Sequence, residues 1–290
     1  MIRDFEYFAP KTLEEALGLL DKYQNNCKVI AGGQSLLKLM RQGLVTPQYL
    51  IDIKGLSELN YIKSEGKGLR IGALTTHRAI EESPMMKNGF SILAEMERRL
   101  AYIQIRNWGT LGGNLCHADP AQDPAPVLIV LNANLRIASQ NGERTMAIED
   151  FFPDYLRTSL KPSELLAEIQ VPAVPPHTGT AYAKFNIIEN DLATVGVAVS
   201  MTLSSGADVC QDIRIALGAA ARTPMRAKRA EGVLRGKKIT DNLLTEAGEI
   251  ASAESEPISD INASEEYRRQ LVKVLVKRIG KEALTRAKQA

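Results

Sequence analysis

Two short glycine clusters lie about eighty residues apart in this chain. Of all its segments, these have the residue types and spacing that most clearly indicate ligand binding. They read Ala31-Gly32-Gly33-Gln34-Ser35 and Thr110-Leu111-Gly112-Gly113-Asn114. Adjacent glycines let the backbone turn its N–H groups toward a ligand, because no Cβ stands in the way. A concave row of N–H groups binds anions, and a diphosphate is a common one. Two such clusters, each carrying a hydroxyl, predict one phosphate-bearing ligand that is held from both sides.

Each cluster alone also has a plainer interpretation. The first is equally compatible with a tight strand-to-helix turn in which Ser35 caps the helix, and the second with a bulged turn. Neither cluster matches GxGxxG within a βαβ unit, and no acidic residue follows at the spacing of a ribose contact. A Rossmann-type dinucleotide site is therefore disfavoured.

Other residues that could do chemistry carry weaker signals. Asp119 and Asp123 could form a carboxylate pair for proton transfer. The flanking prolines instead favour a loop in which Asp123 is the N-cap of a helix beginning at Pro124. The three cysteines are far apart, and the three histidines lack metal-ligand spacing. We therefore expect no disulfide framework, no metal site and no catalytic residue in this chain.

The composition excludes several function classes. The 290 residues carry a formal charge of only +2, with basic and acidic residues interleaved, which argues against a nucleic-acid-binding face. The first residues are charged and contain no apolar leader segment. No apolar run approaches the roughly 20 residues that a membrane span needs. We therefore expect a cytoplasmic protein.

Hydrophobic periodicity predicts helices and strands in alternation, which is typical of an α+β fold. The N-terminal elements predicted are helix 12–22, strand 27–31, helix 36–41, strands 49–53 and 69–73, helices 77–82, 96–103 and 124–131, and strand 134–138.

A proline-rich segment at residues 172–179 is the clearest linker. The elements predicted after it are strands 180–187, 193–203 and 213–217, a hairpin turn at Gly206-Ala207-Asp208, and helices 225–234, 242–253 and 263–287. We expect a separate C-terminal domain in which helices cover a three-stranded antiparallel sheet.

Several segments together resemble one family. They are residues 31–37 (AGGQSLL), 71–76 (IGALTT), 104–114 (QIRNWGTLGGN), 118–123 (ADPAQD), 182–184 (YAK), 191–198 (DLATVGVA) and 218–226. They are similar to the two flavin loops, the acidic loop and the C-terminal strands of the FAD-binding medium subunit of molybdenum hydroxylases. Xanthine dehydrogenase and aerobic carbon monoxide dehydrogenase are familiar members. The resemblance runs nearly from end to end.

The resemblance implies a fold and a set of FAD-binding residues. The fold is a two-part FAD-binding domain of the vanillyl-alcohol-oxidase (PCMH) type, at residues 1–57 and 58–176, followed by a small flavoprotein C-terminal domain at 177–290. Backbone of both clusters would hold the diphosphate, Asp123 the adenosine part, and Lys184 would lie near the isoalloxazine ring, which two leucines would line. The implied residues are Val29, Ile30, Ala31, Gly32, Gly33, Gln34, Ser35, Leu36, Leu100, Thr110, Leu111, Gly112, Gly113, Asn114, Asp123, Leu166 and Lys184.

The function implied is electron transfer within a hetero-oligomer. A small partner with [2Fe-2S] clusters would deliver electrons from a large molybdenum-cofactor partner, as a dimer of heterotrimers, and FAD would pass them to an external acceptor. A free-standing FAD oxidase or dehydrogenase, or a scaffold that kept the fold, are the alternatives. Carbon monoxide dehydrogenases are basic after the matched lysine, where this chain reads Phe185-Asn186-Ile187-Ile188-Glu189-Asn190. The substrate and the electron acceptor therefore stay open.

Overall fold

The structure, a computed structural model, describes residues 2–87, 89–206 and 209–290. Its strands are β1 Glu6–Phe8, β2 Cys27–Ile30, β3 Tyr49–Asp52, β4 Ile62–Glu65, β5 Gly68–Gly72, β6 Asn134–Ser139, β7 Gly142–Ala147, β8 Leu165–Val171, β9 Thr178–Phe185, β10 Val195–Leu203, β11 Cys210–Gly218 and β12 Met225–Arg226. Its α-helices are α1 Leu13–Tyr23, α2 Leu36–Arg41, α3 His77–Glu82, α4 Ser91–Arg99, α5 Ile103–Trp108, α6 Leu111–His117, α7 Pro124–Val130, α8 Lys228–Leu234, α9 Asp241–Glu254 and α10 Glu265–Ala287. The predicted α+β fold class is confirmed.

The first sheet is small and parallel, with the order β1-β3-β2. Helix α1 begins where the sequence predicts, because the Thr12 hydroxyl accepts a hydrogen bond of 3.1 Å from the amide of Glu15. Its apolar positions recur at helical spacing and are buried, namely Ala16, Leu17 and Leu20. Strand β1 was not predicted, since it is three residues long and mostly exposed. Strand β2 leads directly into the first glycine cluster, and α2 follows it.

The second sheet has five antiparallel strands in the order β4-β5-β8-β6-β7. At its centre, Ile169 of β8 pairs with Ile71 of β5 and Leu135 of β6. The residues of β5, β6 and β8 share one core with α4, α6 and α7. Just after β5, the amide of Ala73 donates to the carbonyl of Ala167 at 3.0 Å, which fixes the segment on which α6 rests.

Two predictions around the second glycine cluster are wrong. The predicted helix 96–103 ends at Arg99, and a new helix begins at Ile103. The break is stabilised by Arg106, whose guanidinium donates to the carbonyls of Leu100 and Ala101 at 3.0 and 2.6 Å. The bulged-turn interpretation of the second cluster is also wrong, because its glycines lie in the first turn of α6.

The C-terminal sheet is antiparallel, as predicted, with the order β12-β11-β10-β9. It has four strands rather than three, because Met225–Arg226 pairs with β11 where the sequence suggested the start of a helix. Arg226 is held at that edge by the carboxylates of Glu231 and Glu149. Helices α8, α9 and α10 complete this region. Of the predicted hairpin turn at 206–208, Ala207 and Asp208 lie outside the described residues.

Residues 172–177 of the proline-rich segment connect β8 to β9, whereas Thr178 and Gly179, which were predicted as linker, belong to β9. The three sheets lie within residues 6–52, 62–171 and 178–226, and the domain boundaries after residues 57 and 176 stay a prediction. Across the part of the chain that the structure describes, no helix combines the length and apolar character that crossing a membrane demands.

Candidate functional site

The two glycine clusters lie side by side. A Cβ built on Gly32 would collide with the carbonyl oxygen of Trp108 and lie 2.8 Å from the Cα of Gly109. A Cβ built on Gly113 would lie 3.6 Å from the Cβ of Ala31. Backbone therefore packs directly on backbone, which only glycine at position 32 permits. The structure thus brings together two segments that the sequence separates.

The first cluster presents unused hydrogen-bond donors. Within residues 2–87, 89–206 and 209–290, no acceptor receives a hydrogen bond from the amides of Gly32, Gly33, Gln34 or Ser35. Ser35 stands at the N-cap position of α2, but its hydroxyl makes no capping bond. The plainer interpretation of Ser35 as a helix cap is therefore wrong. Half-buried N–H groups without acceptors need a ligand or water to satisfy them.

The second cluster differs, because the protein already uses its amides. Leu111 donates to the carbonyl of Thr75 at 3.0 Å, and Gly112 to that of Ala73 at 2.9 Å. Gly113 donates to the hydroxyl of Thr110 at 3.1 Å, and Asn114 to its carbonyl at 2.9 Å. The expectation of a second row of free N–H groups is therefore wrong.

Side chains are what the second cluster can offer a ligand. The Oδ1 of Asn114 is buried and has no hydrogen-bond partner among the described residues. Thr110 accepts from Gly113, which leaves its hydroxyl proton available to a further acceptor. The glycines themselves serve packing, since a Cβ on Gly112 would lie 2.6 Å from the Cβ of Ala73.

Asp123 is the centre of a buried polar cluster that joins α7 to β9. Its carboxylate lies 2.7 Å from the Nζ of Lys184 and accepts a 2.6 Å hydrogen bond from the hydroxyl of Tyr182. The side chains of Asp123 and Lys184 are each only 4% exposed. Burial raises the pKa of Asp123, and the Lys184 ammonium and Tyr182 hydroxyl oppose that rise. Asp123 occupies the N-cap position of α7, as predicted, but its side chain makes no capping bond.

This contact also bears on the implied roles of the two residues. Asp123 was implied at the adenosine end of FAD and Lys184 at its ring. The two side chains touch, so a ligand that reaches one of them passes close to the other. Both roles stay predictions.

Sequence reasoning assigned no role to Tyr182. Tyr182 and Lys184 are two residues apart on β9, so they share one face of the sheet, and that alternation is the signal that could have found it. Burial, and the Asp123 carboxylate beside it, raise the pKa of Tyr182 well above its usual value. The phenol therefore remains a donor. Its hydroxyl would lie 3.1 Å from a Cβ on Gly196, so this glycine makes room for it.

The apolar candidate residues are placed mainly by packing. Leu100 is 5% and Leu166 2% exposed, and both lie in the core shared by β5, β6 and β8. Their side chains are therefore used in the core, and the role of either residue in lining the flavin stays a prediction. The other apolar candidates are likewise buried or half-buried: Val29, Ile30, Ala31, Leu36 and Leu111.

Comparison with known proteins covers nearly the whole chain. Residues 3–174 match the model of the FAD binding domain in molybdopterin dehydrogenase, and residues 180–283 match the CO dehydrogenase flavoprotein C-terminal domain. The carbon monoxide dehydrogenase medium chain of Hydrogenophaga pseudoflava is 36% identical over 274 residues, which is 94% of this chain and 95% of that one. The glyceraldehyde dehydrogenase medium chain of Sulfolobus acidocaldarius is 35% identical over 279 residues, which is 96% of this chain and 98% of that one.

Solved structures agree with these sequence matches. Carbon monoxide dehydrogenase from Hydrogenophaga pseudoflava superposes with a TM-score of 0.96 at 37% identity, covering 99% of each chain. Quinoline 2-oxidoreductase from Pseudomonas putida 86 superposes with a TM-score of 0.93 at 32% identity, again covering 99% of each chain. The resemblance identified from the sequence is confirmed.

Proposed function

Because this chain belongs to the family of FAD-binding subunits of molybdopterin dehydrogenases, we propose that it is the electron-transfer subunit of a multi-subunit molybdenum hydroxylase. Membership of the family makes it an FAD-binding oxidoreductase subunit. One observation carries the proposal at the level of residues. The amides of Gly32 to Ser35 have no acceptor among the described residues, at the point where the two glycine clusters meet.

The residues present fit an FAD diphosphate. The four amides of the first cluster, with the uncapped hydroxyl of Ser35, supply the donors that phosphate oxygens accept. The second cluster adds the hydroxyl proton of Thr110 as a further donor, whereas the unpaired Oδ1 of Asn114 is an acceptor and would receive a hydrogen bond from a hydroxyl or N–H group of FAD. In the proposed site the first cluster therefore binds by its backbone, whereas the second binds by side chains.

Lys184 and Asp123 act as a neutral pair toward the nucleotide. Lys184 also donates to the carbonyl of Asp191 at 2.8 Å, so its ammonium is held from two directions. Its charge is balanced by the Asp123 carboxylate, and the pair therefore orients the nucleotide more than it attracts it. FAD, when bound, supplies the chemistry of accepting electrons singly and passing them on in pairs.

The partners follow from the same family. The relatives are named as medium chains or subunits of dehydrogenases or of a hydroxylase, so we propose a [2Fe-2S] subunit as electron donor and a molybdenum-cofactor subunit as the place of substrate oxidation. A cytoplasmic dimer of heterotrimers is the proposed assembly. Relatives named for carbon monoxide, glyceraldehyde and nicotine are 36%, 35% and 35% identical to this chain. Such equal similarity is expected when another subunit selects the substrate.

The FAD proposal is tested by the visible spectrum of the purified chain and by titration with FAD. We expect a yellow protein, or one that becomes yellow on reconstitution. Gly32→Ala should lose FAD, because its Cβ would displace the Trp108 carbonyl. Gly55→Ala is the matched control, since a Cβ there has no neighbour within 4 Å. A wild-type chain that binds no FAD, or a Gly32→Ala chain that binds it normally, would contradict the proposal.

The electron-transfer role needs a second experiment. Affinity purification of the tagged chain from its own cells, followed by metal analysis, should yield iron and molybdenum in co-purifying subunits. A chain that purifies alone, and whose flavin bleaches on adding an organic substrate, would favour the free-standing enzyme instead.

A further inference from the structure

A second buried acid–base pair lies beside the second glycine cluster, outside the proposed FAD contacts. Glu97 of α4 is 0% exposed, and His77, the first residue of α3, is 2% exposed. The Nδ1 of His77 lies 2.8 Å from the Oε2 of Glu97. Among the described residues, no well-aligned hydrogen bond reaches either carboxylate oxygen of Glu97.

Stability alone does not explain this pair. Burying a carboxylate costs several kcal/mol unless hydrogen bonds satisfy it, and an apolar pair of similar volume is often as stable or more so. Glu168 in β8 is another wholly buried carboxylate and offers a comparison. Its oxygens accept hydrogen bonds from four side chains, those of Tyr61, Arg70, Arg136 and Gln170. Glu97 has only the imidazole.

The imidazole of His77 supports the backbone that leads into the second cluster. The amide of His77 donates to the carbonyl of Gly109 at 3.0 Å. A Cβ on Gly109 would lie 3.0 Å from the Cδ2 of His77, so the ring is in contact with the Gly109 backbone. Movement of this ring would therefore move Gly109, against which Gly32 of the first cluster packs.

Glu97 connects His77, and through it the Gly109 backbone, to the C-terminal end of α4. Its carbonyl accepts a hydrogen bond of 3.1 Å from the amide of Leu100, the first residue of the helix break. The pair thus joins the second cluster, through α3, to a segment that the family resemblance places near the flavin.

We propose that His77 and Glu97 are positioning residues for FAD, and that one proton shared between them keeps the second glycine cluster in its FAD-binding position. The inference rests on the proposed function. When this proton is lost, Glu97 becomes an uncompensated buried carboxylate, joined through His77 and Gly109 to Gly32 of the proposed diphosphate site. FAD affinity then falls for two reasons, because the support shifts and because like charges repel.

Neighbouring charges determine the direction of the pH effect. Burial raises the pKa of Glu97, His77 opposes the rise, and the carboxylates of Asp123 and Glu81 add to it. Asp123 is itself paired with Lys184 and bonded to Tyr182, and Glu81 is paired with two arginines, Arg78 and Arg106.

Linkage between protonation and folding gives the direction in which the contribution of Glu97 changes with pH. Because the folded state holds the proton of Glu97 more tightly, its contribution is complete below the ordinary glutamate pKa of about 4.3. That contribution is lost as the pH rises through the raised value. The negative charge of bound FAD would raise the Glu97 pKa further, so the complex holds the proton at a pH where the free chain has lost it, and FAD binding should weaken toward alkaline pH.

The test is the FAD dissociation constant measured as a function of pH for the wild type and Glu97→Gln. For the wild type we expect a rise of up to about tenfold per pH unit where the proton is lost. Glu97→Gln cannot become negative, so its profile should be flat over the same range. Glu231→Gln is the matched control, because Glu231 is 1% exposed and ion-paired with Arg226 in the C-terminal region. It should keep the wild-type slope.

A second pair of variants separates this role from a merely structural one. His77→Gln should move the fall in FAD affinity to higher pH, because His77 is the group that lowers the Glu97 pKa. The double variant with Glu97→Gln should show no fall over that range, since neither side chain can then ionise. Melting curves of the FAD-free chains check that each variant folds.

The outcomes are distinguishable. A Glu97→Gln profile with the wild-type slope, or a double variant that keeps the pH dependence, would overturn the inference while leaving the FAD proposal intact. A wild-type chain that binds no FAD at any pH would overturn both.

Discussion

The two glycine clusters are alike in composition and different in use. In the first, the amides from Gly32 to Ser35 donate to no acceptor among the described residues. In the second, the amides of residues 111–114 all donate to protein, and the Thr110 hydroxyl caps α6. The first cluster is open toward a ligand, whereas the second is a packed surface against which the first is held.

Their glycines differ for the same reason. Gly33 has a φ of +71°, a conformation that L-residues rarely adopt, so the first cluster uses glycine to turn the chain. Gly112 lies in a helix without a positive φ, and its missing Cβ lets α6 rest on Ala73. The same residue type thus provides backbone conformation in one cluster and close approach in the other. Variants at the two clusters should therefore affect folding and FAD binding in different proportions.

Gly112→Ala should have the largest effect on stability. Its Cβ would lie 2.6 Å from the Cβ and 2.7 Å from the carbonyl oxygen of Ala73, and the backbone cannot yield without breaking the Gly112–Ala73 hydrogen bond. We expect a loss of about 2 to 3 kcal/mol in the free energy of unfolding, measured by denaturant titration of the FAD-free chain. An unchanged midpoint would show that the second cluster is not the packed surface described here.

Gly33→Ala should destabilise the chain less than Gly112→Ala does and should affect FAD binding more directly. An L-residue at a φ of +71° is strained by roughly 1 to 2 kcal/mol. Gly43 offers a matched control, because its φ is +73° and a Cβ there meets nothing within 4 Å. Both variants should lose similar stability, but only Gly33→Ala should weaken FAD binding, by tenfold or more, in a fluorescence titration. Equal FAD affinity in the two variants would contradict the role of the first cluster.

Local signals explain which features could be predicted from the sequence. The predicted helices α1 and α3, the strand that precedes Gly32 and the helix that begins at Pro124 each depend on residues within a few positions. In the structure, Thr12 and Thr76 cap α1 and α3. Such features are governed by hydrogen bonds and periodicity along one segment. The glycine clusters were found in the same way.

Long-range contacts explain what could not be predicted. Asp123 was predicted to be an N-cap because Pro124 follows it, but its side-chain partners Tyr182 and Lys184 lie 59 and 61 residues away. Which carboxylate pairs with which cation depends on how β9 packs on α7, and the residues next to Asp123 in the sequence do not indicate that packing. Whether a backbone amide has a hydrogen-bond acceptor likewise depends on tertiary contacts. Ala73, which accepts from Gly112, lies 39 residues before it along the chain.

Thr110→Ala should remove a helix cap and with it about 1 kcal/mol of stability. The hydroxyl of Thr110 accepts from the amide of Gly113 at 3.1 Å, and alanine leaves that amide without its partner. Thr240→Ala is the control, because Thr240 caps α9 in the same way at a distance from the clusters. Thermal melting should show similar losses for both, and Thr110→Ser should restore the wild-type value. A Thr110→Ala chain of full stability would contradict the capping role.

Ser35→Ala should have the smallest effect on stability and so separates the two clusters most cleanly. The Ser35 hydroxyl makes no capping bond, so the unfolding free energy should stay within about 0.5 kcal/mol of wild type. A hydrogen bond to a charged phosphate contributes about 1.5 to 3 kcal/mol, so FAD affinity should fall at least roughly tenfold. Calorimetric titration with FAD and a denaturant titration of the same sample measure both quantities. If Ser35→Ala instead destabilised the chain as Thr110→Ala does, both hydroxyls would be structural, and the distinction between an open cluster and a packed one would fail.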